Sequence, residues 1–264
     1  MKNLYYTSVL LFAVLSFSCT PNVAKIDNSL KKYFDSAQVT GTFALLNNQI
    51  GDVTVYNMEA DTQRISPGNS FKIAATLIGI ESSTIADSKS TLNVAGDSAT
   101  ASMTLMDAFQ QDNFEYFKAL IQKIGTDTIS YWIDSLKYGN MVTDSVKPFW
   151  EDGSLTISPD EQLGLIYKVY FDKLPFKKYS QAILRELMLQ EDNTLYRYNY
   201  TAAMSTSPQG DPLAWILGWI EENKHVYFFS CVVSSPDTSK DLKKTGLDIV
   251  KKILVDKGFF LGKK

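Results

Sequence analysis

One histidine, His225, and two cysteines, Cys19 and Cys231, are the whole stock of imidazole and thiol ligands in 264 residues. A site built on several histidines is therefore excluded, no metal is expected, and no disulfide framework can be laid out. Basic residues are also thin on the ground where they would matter. Lysine and arginine are spread along a chain of net charge −3, with no stripe to neutralise phosphates, which argues against a nucleic-acid partner. No apolar run reaches the ~20 residues that a membrane-spanning helix takes, and there is no internal repeat or low-complexity tract. What is present is 45% hydrophobic and 12% aromatic residues, ample for one large domain or two interleaved subdomains.

The N-terminus carries an address. Lys2 precedes the apolar run Ser8–Phe17, and Ser18-Cys19 follows, which is the layout of an export signal. Ending on cysteine is the form of a bacterial lipoprotein signal, although Ser16 stands where such signals prefer leucine. The expected division is a signal over 1–19, a tether over 20–27 and a single domain over 28–264. A lipid on Cys19 would be the only link to a membrane, and the mature protein would sit in the envelope, facing the periplasm or the surface. The alternative is simple cleavage with an incidental cysteine. Cys231, among the apolar and aromatic residues Val226–Val233, is expected to be a buried strand residue without a functional thiol.

Periodicity predicts a helix beginning over Ser29–Phe34 and two strands, Gly41–Asn47 and Val53–Tyr56, joined by the turn residues Asn47–Asp52. It then predicts a helix over Phe71–Ile80, entered through Ser66-Pro67-Gly68-Asn69, and a Ser/Thr-rich loop over Ser82–Ser102. Phe114, Phe117, Ile121 and Ile124 recur at helical spacing up to Gly125. Ser158-Pro159-Asp160-Glu161 is a capping box with proline at the first helical position, and another helix is expected over Lys178–Leu189. Three strands follow, Leu195–Thr201, Ala214–Glu221 and Val226–Val233, the last two joined through Glu222–His225. A final helix runs over Ser239–Asp256. The fold expected is α/β of the α+β kind: a mainly antiparallel sheet of N- and C-terminal strands flanked by helices, plus a helical lobe. Tyr116, Tyr131 and the remaining aromatics are expected in the core, and His225 in a solvated hairpin turn.

Five ordered blocks carry a resemblance. Ser66-Pro67-Gly68-Asn69-Ser70-Phe71-Lys72-Ile73, continuing to Leu77-Ile78-Gly79-Ile80-Glu81, resembles the active-site helix of class D β-lactamases, roughly S-P-A-S-T-F-K-I and L-I-G-L-E. Leu105–Phe109 with Lys123-Ile124-Gly125, and Tyr138-Gly139-Asn140, match two further blocks. Phe149-Trp150 through Leu174-Pro175-Phe176 gives a fourth, and Trp215, Gly218-Trp219 and Tyr227-Phe228-Phe229 a fifth. The resemblance spans about residues 40 to 260 and implies the penicillin-recognising, β-lactamase/transpeptidase-like fold.

What the family needs for hydrolysis is incomplete here. Its nucleophile is the serine of S-x-x-K, one turn before a lysine that is carbamylated and acts as general base. Lys72 matches the lysine, and Trp150 matches the tryptophan that hydrogen-bonds the carbamate. The serine position holds Asn69, whose carboxamide cannot form an acyl-enzyme. Ser70 lies two residues from Lys72, about 200° around a helix, and points away. The S-x-V motif falls on Asp112-Asn113-Phe114, and an acid at 112 would hold Lys72 protonated and oppose carbamylation. The K-T-G strand should lie near Tyr200–Thr206, which offers no lysine or arginine for a carboxylate. Lys244-Thr245-Gly246 sits inside the last helix pattern, and Lys243 or Lys244 is the nearest substitute for the family's carboxylate-binding arginine. Lys72 is read as ion-paired with Asp112, Tyr138-Gly139-Asn140 as a tight turn and Trp150 as core or pocket wall. No cofactor is expected. The resemblance implies a non-hydrolytic envelope protein whose old pocket is empty, holds a small-molecule or cell-wall-derived ligand, or forms a partner surface. The alternative is an active β-lactamase working through Ser70 and Lys72. Sensing of penicillin by acylation would need the same missing serine.

Overall fold

A computed structural model describes residues 24–94, 101–144 and 148–264. Its centre is a seven-stranded sheet, ordered β1-β3-β2-β9-β8-β7-β6. The strands are β1 (Ala24–Ile26), β2 (Thr40–Asn47), β3 (Asp52–Tyr56), β6 (Leu189–Asp192), β7 (Tyr196–Thr206), β8 (Pro212–Glu222) and β9 (His225–Ser234). All neighbours are antiparallel except β1, which runs parallel to β3. The terminal strands thus meet in one sheet, as expected for this fold class.

The helices are α1 (Lys31–Ala37), α2 (Met58–Thr62), α3 (Lys72–Glu81), α4 (Leu105–Gln111), α5 (Phe114–Ile124), α6 (Thr126–Leu136), α7 (Pro159–Tyr170), α8 (Lys178–Met188) and α9 (Leu242–Asp256). Both faces of the sheet are covered, which is why β8 and β9 read as almost unbroken apolar runs. Along β8, Trp215, Leu217 and Trp219 point into the core shared with the helical lobe. Ala214, Ile216 and Ile220 point to the other side, against Ile249, Val250 and Ile253 of α9. Asn223 and Lys224 turn the β8–β9 hairpin with positive φ, 45° and 67°, the two-residue turn whose twist suits the strands. His225 is the first residue of β9, opposite Glu222, rather than part of the turn. The capping box opens α7 as expected, Glu161 accepting from the Ser158 N–H at 2.9 Å.

Four expectations need correction or a boundary. Ser82–Ser102, expected to be loop, contains β4 (Thr91–Val94), which pairs with β5 (Ala101–Thr104). The alternation that buries Leu92 and Val94 is only four residues long and is masked by serine and threonine. Tyr131, expected in the core, is 64% exposed. The buried stripe of α6 runs through Ile129, Ile133 and Leu136, and a residue two positions after Ile129 lies across the helix from it. Ala24–Ile26, inside the expected tether, is an exposed strand paired to β3. The signal over 1–19 and the lipidation of Cys19 lie outside the described residues.

Candidate functional site

The turn that leads into α3 is held from two sides. Ser66 Oγ and the Gly68 N–H both donate to the Trp150 carbonyl, each at 2.8 Å. From the sheet, Ser205 Oγ and Trp215 Nε1 donate to the Ser66 carbonyl at 2.8 and 3.1 Å. β7 therefore lies directly on this turn. Gly68 has φ +49°, and a Cβ there would stand 2.5 Å from Ser205 Cβ and 2.6 Å from the Met204 carbonyl oxygen. Gly68–Phe71 form one turn of 3₁₀ helix before the α-helix starts at Lys72. In such a turn side chains at i and i+3 eclipse, which sets Asn69 beside Lys72.

Lys72 is 1% exposed and has three acceptors for its three protons. They are Asp112 Oδ1 at 2.8 Å, the Ala202 carbonyl at 3.0 Å and the Phe109 carbonyl at 3.1 Å. Its Nζ also stands 4.9 Å from the centre of the Phe109 ring. Burial pulls the amine below the ordinary lysine value, and the Asp112 carboxylate pulls it back. Three acceptors and no donor around Nζ suit an ammonium, since a neutral amine would turn a lone pair on an oxygen. Carbamylation needs that neutral amine.

Asp112 ends α4 in the left-handed region, φ +58°, which points its side chain inward. The side chain is 3% exposed. Oδ1 accepts from Lys72 and from Asn69 Nδ2 at 2.7 Å, while Oδ2 accepts from the Met204 N–H at 3.0 Å. Lys243, on α9, approaches Oδ2 at 3.4 Å; Lys244, the other proposed substitute for a carboxylate-binding arginine, does not. Asn69 Nδ2 also donates to the Asp112 carbonyl, 2.7 Å away. The Ala202 C=O and Met204 N–H are the groups that the edge of β7 would otherwise offer to an added strand or ligand. Here the Lys72–Asp112 pair takes both. One cavity beside the pair, lined by Phe109, Gln190, Tyr200, Ala202 and Lys243, holds about 190 Å³, less than the ~300–1,000 Å³ of drug-sized ligand pockets.

The other family-equivalent residues form a separate group. Ser70 Oγ donates to the Pro67 carbonyl at 2.7 Å and accepts from Gln162 Nε2 at 3.0 Å, facing away from Lys72. Gln162 Nε2 also donates to Tyr138 Oη at 3.2 Å, and burial pushes the Tyr138 hydroxyl pKa up. Asn140 bridges loop main chain, donating to the Ser154 carbonyl at 2.7 Å and accepting from the Thr156 N–H at 3.0 Å. Trp150 stacks on Phe71 with ring centres 6.1 Å apart and makes no bond to Lys72. Gly139 has φ +54°, and a Cβ there would fall 1.9 Å from the Thr156 carbonyl oxygen. Gly139→Ala should therefore lower the unfolding free energy by ~2 kcal/mol or more, read from urea transitions; an unchanged midpoint would contradict the turn geometry. Among the described residues no group of three or more His, Cys, Asp or Glu could hold a metal ion. Cys231 is buried on β9 and its thiol pKa is pushed up by burial.

A helix bearing Lys72 three residues after Asn69, packed against an antiparallel sheet beside a helical lobe, is the arrangement of the penicillin-recognising fold. The family model of the penicillin binding protein transpeptidase domain matches residues 32–255, and the chain belongs to that family. It is similar to a protein named Probable beta-lactamase YbxI of Bacillus subtilis (strain 168), 30% identical over 218 residues, 80% of each chain. Among solved structures it resembles the class D beta-lactamase FUS-1 (OXA-85) of Fusobacterium nucleatum subsp. polymorphum. The TM-score is 0.82 at 23% identity, covering 89% of this chain and 100% of that one. It also resembles the C-terminal domain of the Bacillus licheniformis BlaR penicillin-receptor, TM-score 0.82 at 24% identity, covering 90% and 97%. Structural likeness at such low identity speaks to fold alone.

Proposed function

We propose that this chain is an exported, non-hydrolytic member of the class D β-lactamase-like family, anchored to the envelope by a lipid on Cys19. The observation that carries the reading is Asp112. Its carboxylate joins Asn69, Lys72 and the Met204 N–H. The position of the nucleophile, the position of the base and the strand edge that would receive substrate are thus bonded to one another. Asn69 supplies no hydroxyl to attack a lactam carbonyl, and Lys72 holds its proton on three acceptors instead of taking one. Ser70 does not substitute, because its hydroxyl serves Pro67 and Gln162. A ligand retained at this site would be small and would enter beside Lys243.

A fluorescent penicillin, incubated with the protein and resolved on a denaturing gel, tests this. No covalent band is expected. Asn69→Ser should also stay unlabelled, because Asp112 still holds Lys72 and no cation is placed on β7 for the drug's carboxylate. A covalent band that disappears in Ser70→Ala would sink the proposal.

A further inference from the structure

The Asn69–Asp112–Lys72 contact has the parts for a reaction of its own. A buried amine and a carboxamide sit on the same carboxylate oxygen, at 2.8 and 2.7 Å. Asn69 lies on the 3₁₀ turn and Lys72 caps it three residues later, a spacing that brings their side chains to one side. Oδ2 of the same carboxylate is fixed by the Met204 N–H at 3.0 Å, so Oδ1 stays between the two nitrogens. The Phe109 ring and the walls of the core replace water around Nζ.

We propose that Asn69 and Lys72 close a side-chain amide, Asn69 Cγ to Lys72 Nζ, releasing ammonia with Asp112 as the proton carrier. Lys72 first passes one proton to Asp112 Oδ1. The freed lone pair then attacks Asn69 Cγ, and the carbonyl π electrons move onto Asn69 Oδ1. Asp112 returns its proton to Asn69 Nδ2, the Cγ–Nδ2 bond breaks, and the carbonyl re-forms. Ammonia leaves and takes the surplus proton from the new amide nitrogen. One carboxamide and one ammonium have become one secondary amide and one ammonium ion. Asp112 ends as the carboxylate it began as, and no oxidant or further reactant enters.

The ammonium–carboxylate pair is the resting form. The first step is a brief proton transfer along the 2.8 Å contact, made less costly by burial because it removes two charges from a dry site. The lowered proton affinity of Lys72 is in the same direction. The shared carboxylate oxygen holds the two groups side by side, which spares the attack the entropy of bringing them together. The proposal deepens the non-hydrolytic reading and rests on it in one respect, that residue 69 is a carboxamide inside a closed site. A Lys72 locked as an amide could serve as neither base nor carbamate.

Tryptic mapping of the folded, full chain after denaturation decides it. Trypsin cuts after Arg64, Lys72 and Lys89 in this stretch. With the amide in place, cleavage after Lys72 is lost, and 65–89 appears as one peptide lighter than its sequence mass by one ammonia. In Asp112→Ala, 65–72 should return at full mass. Recovery of wild-type 65–72 at full mass overturns the proposal without recourse to any variant. A peptide that has lost ammonia but is still cut after Lys72 is a succinimide at Asn69, and overturns it too. Persistence of the uncut peptide in Asp112→Ala overturns the role of Asp112. None of these results bears on the penicillin gel, so the two readings fail separately.

Discussion

Asp112→Ala should be less stable than the double variant Asp112→Ala/Lys72→Met by about 3 kcal/mol, although the double variant has lost more hydrogen bonds. The single change leaves an ammonium that is 1% exposed with two carbonyl acceptors and no counter-charge. Stripping one partner from a buried pair typically costs ~3–5 kcal/mol, because the remaining ion has given up its hydration without a compensating charge. Replacing the lysine by methionine, of similar length and without charge, removes that penalty and leaves a side chain suited to the space beside Phe109. Neither variant can form the Asn69–Lys72 amide, so the comparison isolates the charge. Urea transitions monitored by tryptophan fluorescence give both free energies, with m-values to show that the same surface unfolds. Equal midpoints for the two variants would mean that Lys72 finds water or another anion once Asp112 is gone. Lys243 would not cause that result, since it carries the same sign.

The geometry that makes this pair so exposed to mutation is only partly visible in the amino-acid order. Elements whose signals are local are readable: the capping box at Ser158, the Glu222–His225 hairpin, the helix after Phe71. Each depends on residues within a turn or two of one another. Asp112 and Lys72 are forty positions apart, and no periodicity links them; counting along the class D blocks puts Asp112 at the serine of S-x-V and suggests the ion pair. What counting does not supply is the main chain. The Ala202 C=O, Phe109 C=O and Met204 N–H complete the site, and every residue type carries a carbonyl while all but proline carry the N–H. Periodicity ends the strand at Thr201, but β7 continues to Thr206, and that extra length is the part that meets Lys72 and Asp112. Gln162, which lies inside the fourth block, ties Ser70 to Tyr138, which separates Ser70 from the lysine it would need.

A second carboxylate carries the other large effect. Asp61, on α2, is 2% exposed, and its Oδ1 has no hydrogen-bond partner. Burial, chiefly, with the nearby Asp160 charge raises its pKa to about 7, the Thr42 hydroxyl pulling weakly the other way. The unfolded chain releases this proton near the ordinary aspartate value of ~3.9. Between those two values the folded state binds more protons than the unfolded state, so stability falls as pH rises from about 4 to about 7 and is flat beyond. Each tenfold in proton affinity is worth ~1.4 kcal/mol, so the full loss is roughly 4 kcal/mol. A carboxamide in place of this carboxyl group has no proton to hold and no charge to bury. Asp61→Asn is therefore expected to be about as stable as the parent at pH 4 and up to roughly 4 kcal/mol more stable at pH 8. Paired urea transitions at the two pH values measure the difference directly. Parallel pH profiles for parent and variant would show that Asp61 is ionised and solvated in the folded protein, and that the α2–α7 contact opens to admit water.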